Sequence, residues 1–226
     1  RVDPDHPNNP DRDRFILSKG HACPIYYATL NERGFLKPKV QDYRLRALDS
    51  IFQGHPSMHS GVPGIDMTSG SLGNGIAIGA GMAVAAKAHK KDFYTYVICG
   101  DGELQEGIIW EGANVATGQK LDNLVVFIDK NNWQSYKSVE FTVGLNNVAE
   151  RFRAFGWDTQ EIDGHDVDAI KAAVAKAKRV VGRPHAIVCD CVKGYGLSYM
   201  ADNNAWHKGV PTDEEWAIAK SELGGE

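Results

Sequence analysis

Apolar runs rich in β-branched and aromatic residues alternate along the chain with stretches of helical periodicity. Four runs are predicted to be strands, at residues 93–99, 124–128, 158–162 and 185–192, the third being the most polar. Helical periodicity covers residues 108–117, 148–155, 167–179 and 213–223. This alternation is typical of parallel βαβ units, so the sequence predicts an α/β fold, a three-layer α/β/α domain on a mostly parallel sheet.

The size and composition favour one globular unit. A chain of 226 residues with 42% hydrophobic content can bury one sizeable core. We therefore expect residues 1–226 to form a single domain. The sequence begins at Arg1 rather than at a methionine, which is compatible with a truncated N-terminal segment.

Charge and hydropathy exclude several classes of function. The chain has 25 Lys and Arg against 29 Asp and Glu, a net charge of −4, and lacks the broad basic surface that nucleic-acid binding needs. The longest apolar stretch, 76–86, is too short to cross a membrane, and no secretory signal is visible, so we expect a cytoplasmic protein. The four cysteines form no CxxC pair, which favours reduced core thiols over a zinc site or disulfides.

Two strands are followed by residues suited to metal chemistry. Residues 100–103 (GDGE) follow the first predicted strand, and residues 129–133 (DKNNW) follow the second, so that Asp101 and Asn131 are thirty positions apart. If one helix and one strand lie between them, both side chains reach the same edge of the sheet. Carboxylate and amide oxygens suit Mg²⁺ together with phosphate oxygens, and Gly100 and Gly102 allow the backbone to approach a diphosphate closely. A lone Gly-Asp-Gly would usually be an ordinary strand-to-helix turn, and the spaced Asn131 is what favours the metal site.

The same spacing resembles the thiamine diphosphate motif. The resemblance implies that Asp101, Asn131 and the backbone carbonyl of Trp133 bind the metal, and that Gly102 contacts the diphosphate. The implied cofactors are thiamine diphosphate and Mg²⁺, with Ca²⁺ or Mn²⁺ as possible substitutes. This motif is shared by decarboxylases, dehydrogenases and synthases.

Further segments resemble transketolase in particular. They are residues 17–22 (LSKGHA), 54–56 (GHP), 68–75 (TSGSLGNG), 106–107 (EG) and 162–166 (IDGHD). By this resemblance His21 and His207 lie near the diphosphate and reacting centre, and His55 lies in the sugar channel. Gly70 and Leu72 are expected against the cofactor rings, and Glu106 at a subunit contact beside the active site.

The resemblance implies a transferase that works with a second chain. The expected reaction moves a two-carbon ketol unit from a ketose phosphate to an aldose phosphate, as in the pentose phosphate pathway. The family's pyrimidine-binding domain, which supplies a further catalytic carboxylate, is absent from the sequence. We therefore expect a split transketolase in which this N-terminal subunit pairs with a C-terminal, pyrimidine-binding subunit, with a homodimeric contact giving an α₂β₂ heterotetramer.

Several alternatives stay open from the sequence. The chain can be a fragment rather than a natural subunit, and an upstream SGHxG segment of the family is not in it. One further alternative is a related enzyme that makes a deoxy-xylulose phosphate or uses an unusual sugar. Another is a non-catalytic scaffold subunit that keeps the cofactor pocket. His165 is interpreted as structural because the acidic residues beside it often fix a turn, and His6, His89 and His185 are also interpreted as structural.

Overall fold

A five-stranded parallel sheet organises the chain in a computed structural model that describes residues 1–36 and 44–224. The strands are β1 (Arg14–Leu17), β2 (Thr95–Gly100), β3 (Leu124–Lys130), β4 (Asp158–Asp163) and β5 (His185–Asp190). They lie in the order β1-β2-β3-β5-β4, and each neighbouring pair is parallel. Because the strands all point the same way, their carboxyl ends meet at one edge of the sheet.

The helices cover both faces of the sheet. They are α1 (Cys23–Glu32), α2 (Asn74–Ala88), α3 (Gly107–Gly118), α4 (Val139–Val143), α5 (Val148–Ala154), α6 (Val167–Ala177) and α7 (Asp213–Glu222). The four predicted strands and four predicted helices are confirmed to within a few residues, whereas β1, α1 and α4 were not predicted. No helix within the described residues combines the length and apolar character needed to cross a membrane.

Alternating strand residues build separate cores on the two faces. Val97, Val126 and Val188 point to one face and pack with residues of α2, α3 and α5. On the other face, Ile187 packs in a core with α6, while Leu17 packs with α1. The result is the predicted three-layer α/β/α architecture. Cys23, Cys99 and Cys189 are buried free thiols and Cys191 is a partly buried one, as expected.

Glycines let α2 approach the sheet and the end of β1. A Cβ on Gly79 would lie 2.7 Å from Val97 Cγ2, and a Cβ on Gly75 would overlap the side chain of Ser18. At both positions a side chain would collide with a neighbour, so close packing explains glycine inside this helix. Gly81 differs, because nothing lies within 4 Å of the place where its Cβ would be. The start of α2 is thereby held close to the end of β1, which is where the candidate site begins.

Candidate functional site

A cleft of about 990 Å³ opens at the carboxyl ends of the central strands. Its walls come from the segments that follow the five strands, together with Leu72 before α2. Eight predicted site residues line it: His21, Leu72, Asp101, Gly102, Glu106, Asn131, Trp133 and His207. This volume is within the usual range for small-molecule and cofactor pockets.

Asp101 is a buried carboxylate at the tip of β2. Only 3% of its surface is exposed. Its Oδ1 accepts the backbone N–H of Gly102 at 2.7 Å and its Oδ2 accepts that of Asn132 at 2.6 Å. Burial raises the pKa of the carboxyl to about 6 despite these two bonds. A bound divalent cation would offset this desolvation, so the position suits a metal ligand.

Asn131 and Trp133 follow β3, the strand beside β2. The Asn131 side chain accepts the backbone N–H of Trp133 at 3.0 Å and donates to Asp129 at 3.2 Å. The hydrogen bond from Asn132 to Asp101 therefore ties this turn directly to the tip of β2. The acid and the amide thus share one cleft, as their spacing predicts.

The oxygen atoms present fit a hard cation better than a soft one. Within residues 1–36 and 44–224, no group of three or more His, Cys, Asp or Glu side chains is placed to hold a metal ion. A cation here would depend on the Asp101 carboxylate together with amide and carbonyl oxygens from Asn131 and Trp133. Such a set leaves several positions for phosphate oxygens or water, which is the usual arrangement for Mg²⁺.

Two lysines that were not predicted as site residues contribute positive charge to the cleft. Lys19 forms an ion pair with Asp129, and both side chains line the cleft. Lys193 donates to Asn204 Oδ1 at 2.9 Å and contacts His207 Nδ1 at 2.8 Å. In the sequence only their positions pointed to the site. Lys19 lies within the LSKGHA segment, and Lys193 lies near the start of the long loop after β5.

His21 and His207 lie side by side in the cleft, with ring centroids 5.4 Å apart. Burial and the Lys193 charge lower the pKa of His207 to about 4. Burial also lowers the pKa of His21, with Lys19, His55 and Lys193 adding to the effect. Both imidazoles are therefore neutral at pH 7, and each can donate one N–H.

His55 and Gly70 are neighbours that do not line the main cleft. A Cβ on Gly70 would lie 3.6 Å from the His55 ring, which is exposed. His55 is close enough to His21 to influence its pKa. The role of His55 in a sugar channel and that of Gly70 beside the cofactor rings stay predictions.

A short turn separates β2 from the helix predicted at residues 108–117. Gly102–Gln105 forms a 3₁₀ turn, and α3 begins at Gly107, within one residue of the predicted start. The Asp101 side chain caps that turn by accepting the backbone N–H of Gly102. Glu106 immediately precedes α3 and is exposed at the cleft edge. Its position at a subunit contact stays a prediction.

His165 lines the cleft while holding structure in place. Its backbone N–H donates to Asp163 at 2.8 Å, and its Nε2 accepts the N–H of Val192 at 2.8 Å. Its ring stacks on Tyr195 with centroids 3.8 Å apart. Asp166 caps α6. The acidic residues therefore fix the turn as predicted, and His165 also anchors the loop that leads to Lys193.

Comparison with known proteins gives one consistent family. A profile described as transketolase, thiamine diphosphate binding domain, matches residues 1–226. The chain is 42% identical over 223 residues to an apulose-4-phosphate transketolase subunit of Phocaeicola vulgatus, covering 99% of this chain and 78% of that protein. It is 40% identical over 223 residues to a 6-deoxy-6-sulfo-D-fructose transketolase subunit of a Clostridium species, covering 99% of this chain and 80% of that one.

A solved structure has the same fold. The transketolase of Campylobacter jejuni superposes with a TM-score of 0.92 at 31% identity and covers all of this chain. The match takes in 36% of the Campylobacter chain, so this protein spans just over a third of its length. The predicted α/β/α fold class is confirmed by this likeness.

Proposed function

We propose that this chain is one subunit of a split transketolase, because it belongs to the transketolase family as a thiamine diphosphate binding domain. In the proposed reaction a two-carbon ketol unit passes from a ketose phosphate to an aldose phosphate. The cofactor, when bound, supplies the nucleophilic carbon of this reaction. The protein binds and orients the reactants and positions protons.

The observation that carries this proposal is the meeting of Asp101 and Asn131 in one cleft. The turn after β3 donates a hydrogen bond from Asn132 to Asp101 at 2.6 Å, which fixes the two strand tips together. We propose that Asp101, Asn131 and the carbonyl of Trp133 hold Mg²⁺, with Mn²⁺ or Ca²⁺ as substitutes. Gly102 would then face the diphosphate, and its missing Cβ avoids contact with Gln134, since a Cβ would lie 2.9 Å from that side chain.

The positive side of the cleft suits a diphosphate and a sugar phosphate. Lys19 and Lys193 enter the cleft from opposite sides of the central strands, after β1 and after β5. Their charges favour anions, and charge-assisted hydrogen bonds to phosphate are stronger than neutral ones. His21 and His207 add N–H donors without adding charge at neutral pH.

The tautomer of His207 follows from its contact with Lys193. Because the ammonium group can only donate, His207 Nδ1 must accept, and the ring proton then lies on Nε2. Nε2 is 3.5 Å from Ser135 Oγ, too far for a strong bond, so its proton is available to an oxygen of the substrate or cofactor. We propose that His207 donates this hydrogen bond during the reaction.

The outer surface of α2 supports the need for a partner. Lys87 is the only charged residue in the fifteen-residue helix, and Ile78 is 40% exposed beside the exposed Gly81 and Ala85. A helix that is apolar on its outer side is normally covered by protein. We propose that a second copy of this chain and a complementary pyrimidine-binding subunit complete the site as an α₂β₂ assembly, and that it acts in the cytoplasm.

The substrate is proposed to be a phosphorylated or sulfonated ketose. The two similar proteins from Phocaeicola and Clostridium carry the names of apulose 4-phosphate and 6-deoxy-6-sulfo-D-fructose, both unusual sugars with an anionic end. Identity near 40% supports a common reaction but leaves the sugar open. Xylulose 5-phosphate with ribose 5-phosphate is therefore one donor and acceptor pair among several to test.

The test combines the full chain with its complementary subunit, Mg²⁺ and thiamine diphosphate. We expect ketol transfer from at least one of xylulose 5-phosphate, apulose 4-phosphate and 6-deoxy-6-sulfo-D-fructose, measured by product analysis with ribose 5-phosphate and glyceraldehyde 3-phosphate as acceptors. Formation of deoxy-xylulose phosphate from pyruvate would instead support the related enzyme that makes this product. Tight cofactor binding without turnover on any of these donors would support the scaffold interpretation.

A further inference from the structure

Glu103 is a buried carboxylate to which no site role has been given. Only 3% of its surface is exposed, although it lies two residues after Asp101. Its Oε1 accepts the hydroxyl of Ser18 and the backbone N–H of Gly73, the latter at 2.7 Å. Its Oε2 accepts the backbone N–H of Gly100 at 3.1 Å. Three separate segments are therefore bonded to one side chain.

Each of those segments continues directly into the cleft. Ser18 immediately follows β1 and leads to Lys19 and His21. Gly73 follows Leu72, and Gly100 precedes Asp101 and Gly102. The Glu103 carboxylate thus lies at the base of the three loops that line the proposed cofactor position.

The network extends into α2 through Ser18. The Ser18 hydroxyl donates to Glu103 and accepts the backbone N–H of Gly75 at 3.1 Å. Gly73 adopts a φ of +86°, which side chains rarely tolerate, so Gly73 can present its N–H to Glu103 at little cost. These contacts fix the first turn of α2 relative to the end of β1.

The three hydrogen bonds require a side chain with two acceptor oxygens at this position. All three partners donate, and a carboxylate is the only side chain of this length with acceptors alone. A glutamine would keep one oxygen for Ser18 and Gly73, but its NH₂ group would face the N–H of Gly100. Replacing Glu103 by Gln is therefore a graded change that damages one of three contacts.

We propose that Glu103 is a positioning residue of this enzyme, which sets the spacing of the three cofactor-binding loops through a single buried carboxylate. The proposal rests on the proposed function, because it concerns the same cleft. It assigns Glu103 no contact with the reacting atoms. Replacing Glu103 should therefore weaken cofactor binding, and it should change turnover at saturating cofactor much less.

The first test measures thiamine diphosphate affinity by calorimetry in Mg²⁺, using the full chain with its complementary subunit. Loss of hydrogen bonds to a charged group predicts about 10- to 100-fold weaker binding for Glu103→Ala and an intermediate loss for Glu103→Gln. Turnover at saturating cofactor should stay within about threefold of wild type. Glu111→Gln, on the exposed side of α3, is the charge-matched control and should bind like wild type.

The second test keeps the proposal falsifiable if Glu103→Ala does not fold. Ser18→Ala should weaken binding several-fold, and its effect should not multiply with that of Glu103→Gln, because both act on one network. Hydrogen exchange on the cofactor-free protein should show faster exchange at Gly73 and Gly100 in Glu103→Gln. Ile187→Val, in the distant core beside α6, serves as the control that lowers thermal stability without touching the Glu103 network.

The outcomes separate this proposal from the proposed function. If wild type binds no thiamine diphosphate, the proposed function fails. If wild type binds and Glu103→Gln binds equally well, or loses no more affinity than Ile187→Val at matched stability, the positioning role is overturned. Multiplicative effects of Ser18→Ala and Glu103→Gln would also overturn it.

Discussion

The two sides of the cleft are built in different ways. The floor, residues 100–103 with Ser18 and Gly73, consists of buried or half-buried groups, and the partners of its carboxylates are mostly backbone N–H donors. The strap, residues 193–209, crosses the cleft edge and is fastened by side-chain pairs such as Trp133 with Asp202 at 2.7 Å. Most residues of the strap are exposed or half-buried.

Because of this difference, the fold determines the position of the floor, whereas the position of the strap can be adjusted. Moving the floor requires moving strand ends, because its hydrogen bonds belong to β1, β2 and the start of α2. Moving the strap requires only the exchange of exposed contacts, which cost little individually. Gly194 and Gly196 have φ values of +72° and +93°, so the strap also depends on backbone shapes that glycine permits.

The largest effect is expected in the floor, at Asp101. Asp101→Ala removes the only charged group of the proposed metal set and should weaken Mg²⁺-dependent thiamine diphosphate binding by at least about 100-fold, roughly 2.7 kcal/mol. Isothermal titration calorimetry with and without EDTA measures it. Asp101→Asn, which keeps an oxygen, should lose less. Unchanged affinity in Asp101→Ala would contradict the metal site.

The packing under the floor gives a matched pair of glycines in α2. Gly79→Ala would place a Cβ 2.7 Å from Val97 Cγ2 and should destabilise the protein by about 1–3 kcal/mol. Gly81→Ala meets nothing within 4 Å and should stabilise the helix by about 0.5–1 kcal/mol. Denaturant unfolding of both variants tests this contrast. Shifts of the same sign would show that α2 is not held as described.

A charge in the strap should contribute to the lowered pKa of His207. In wild type His207 should titrate near pH 4, whereas Lys193→Met should raise its pKa towards, but not to, 6.5, because burial is the larger cause of the depression. The unfolded chain binds this proton first, so wild type loses stability as the pH falls from 6.5 to about 4, and the variant loses less. NMR titration of the His207 ring provides the measurement. A variant pKa still near 4 would remove Lys193 as a cause.

The smallest effect is expected where the strap meets the turn after β3. Asp202→Ala or Trp133→Phe removes one partly exposed hydrogen bond and should weaken cofactor binding about 3- to 10-fold, with little change in melting temperature. Asp202→Asn keeps the acceptor and serves as the control. A large drop in melting temperature would mean that the strap is as integral to the fold as the floor.

The sequence was sufficient for the repetitive parts of the fold. β2, β3 and β5 are long apolar runs, and α6 has regular periodicity and an Asp166 cap, so both local signals agree with the structure. β1 was missed because it is a four-residue edge strand among charged residues. α4 was missed because five residues carry too little periodicity to be distinguished from a loop.

The site was predictable where its residues follow strand ends. Asp101 and Asn131 could be placed together because the order of parallel strands fixes where their carboxyl ends lie. Lys19, Lys193 and Glu103 could not, since their importance depends on contacts between segments 85 residues apart, as for Ser18 and Glu103. A lone lysine or glutamate carries no local signal that distinguishes a cleft residue from a solvated one.

The apolar outer side of α2 has a consequence for how the protein is made. A chain produced without its partners would present Ile78 and the small residues around it to water, inviting self-association or capture by chaperones. We therefore expect poor recovery when this chain is expressed by itself and better recovery when it is co-expressed with its complementary subunit. A higher yield of soluble protein on co-expression would indicate that the complementary subunit covers the outer side of α2.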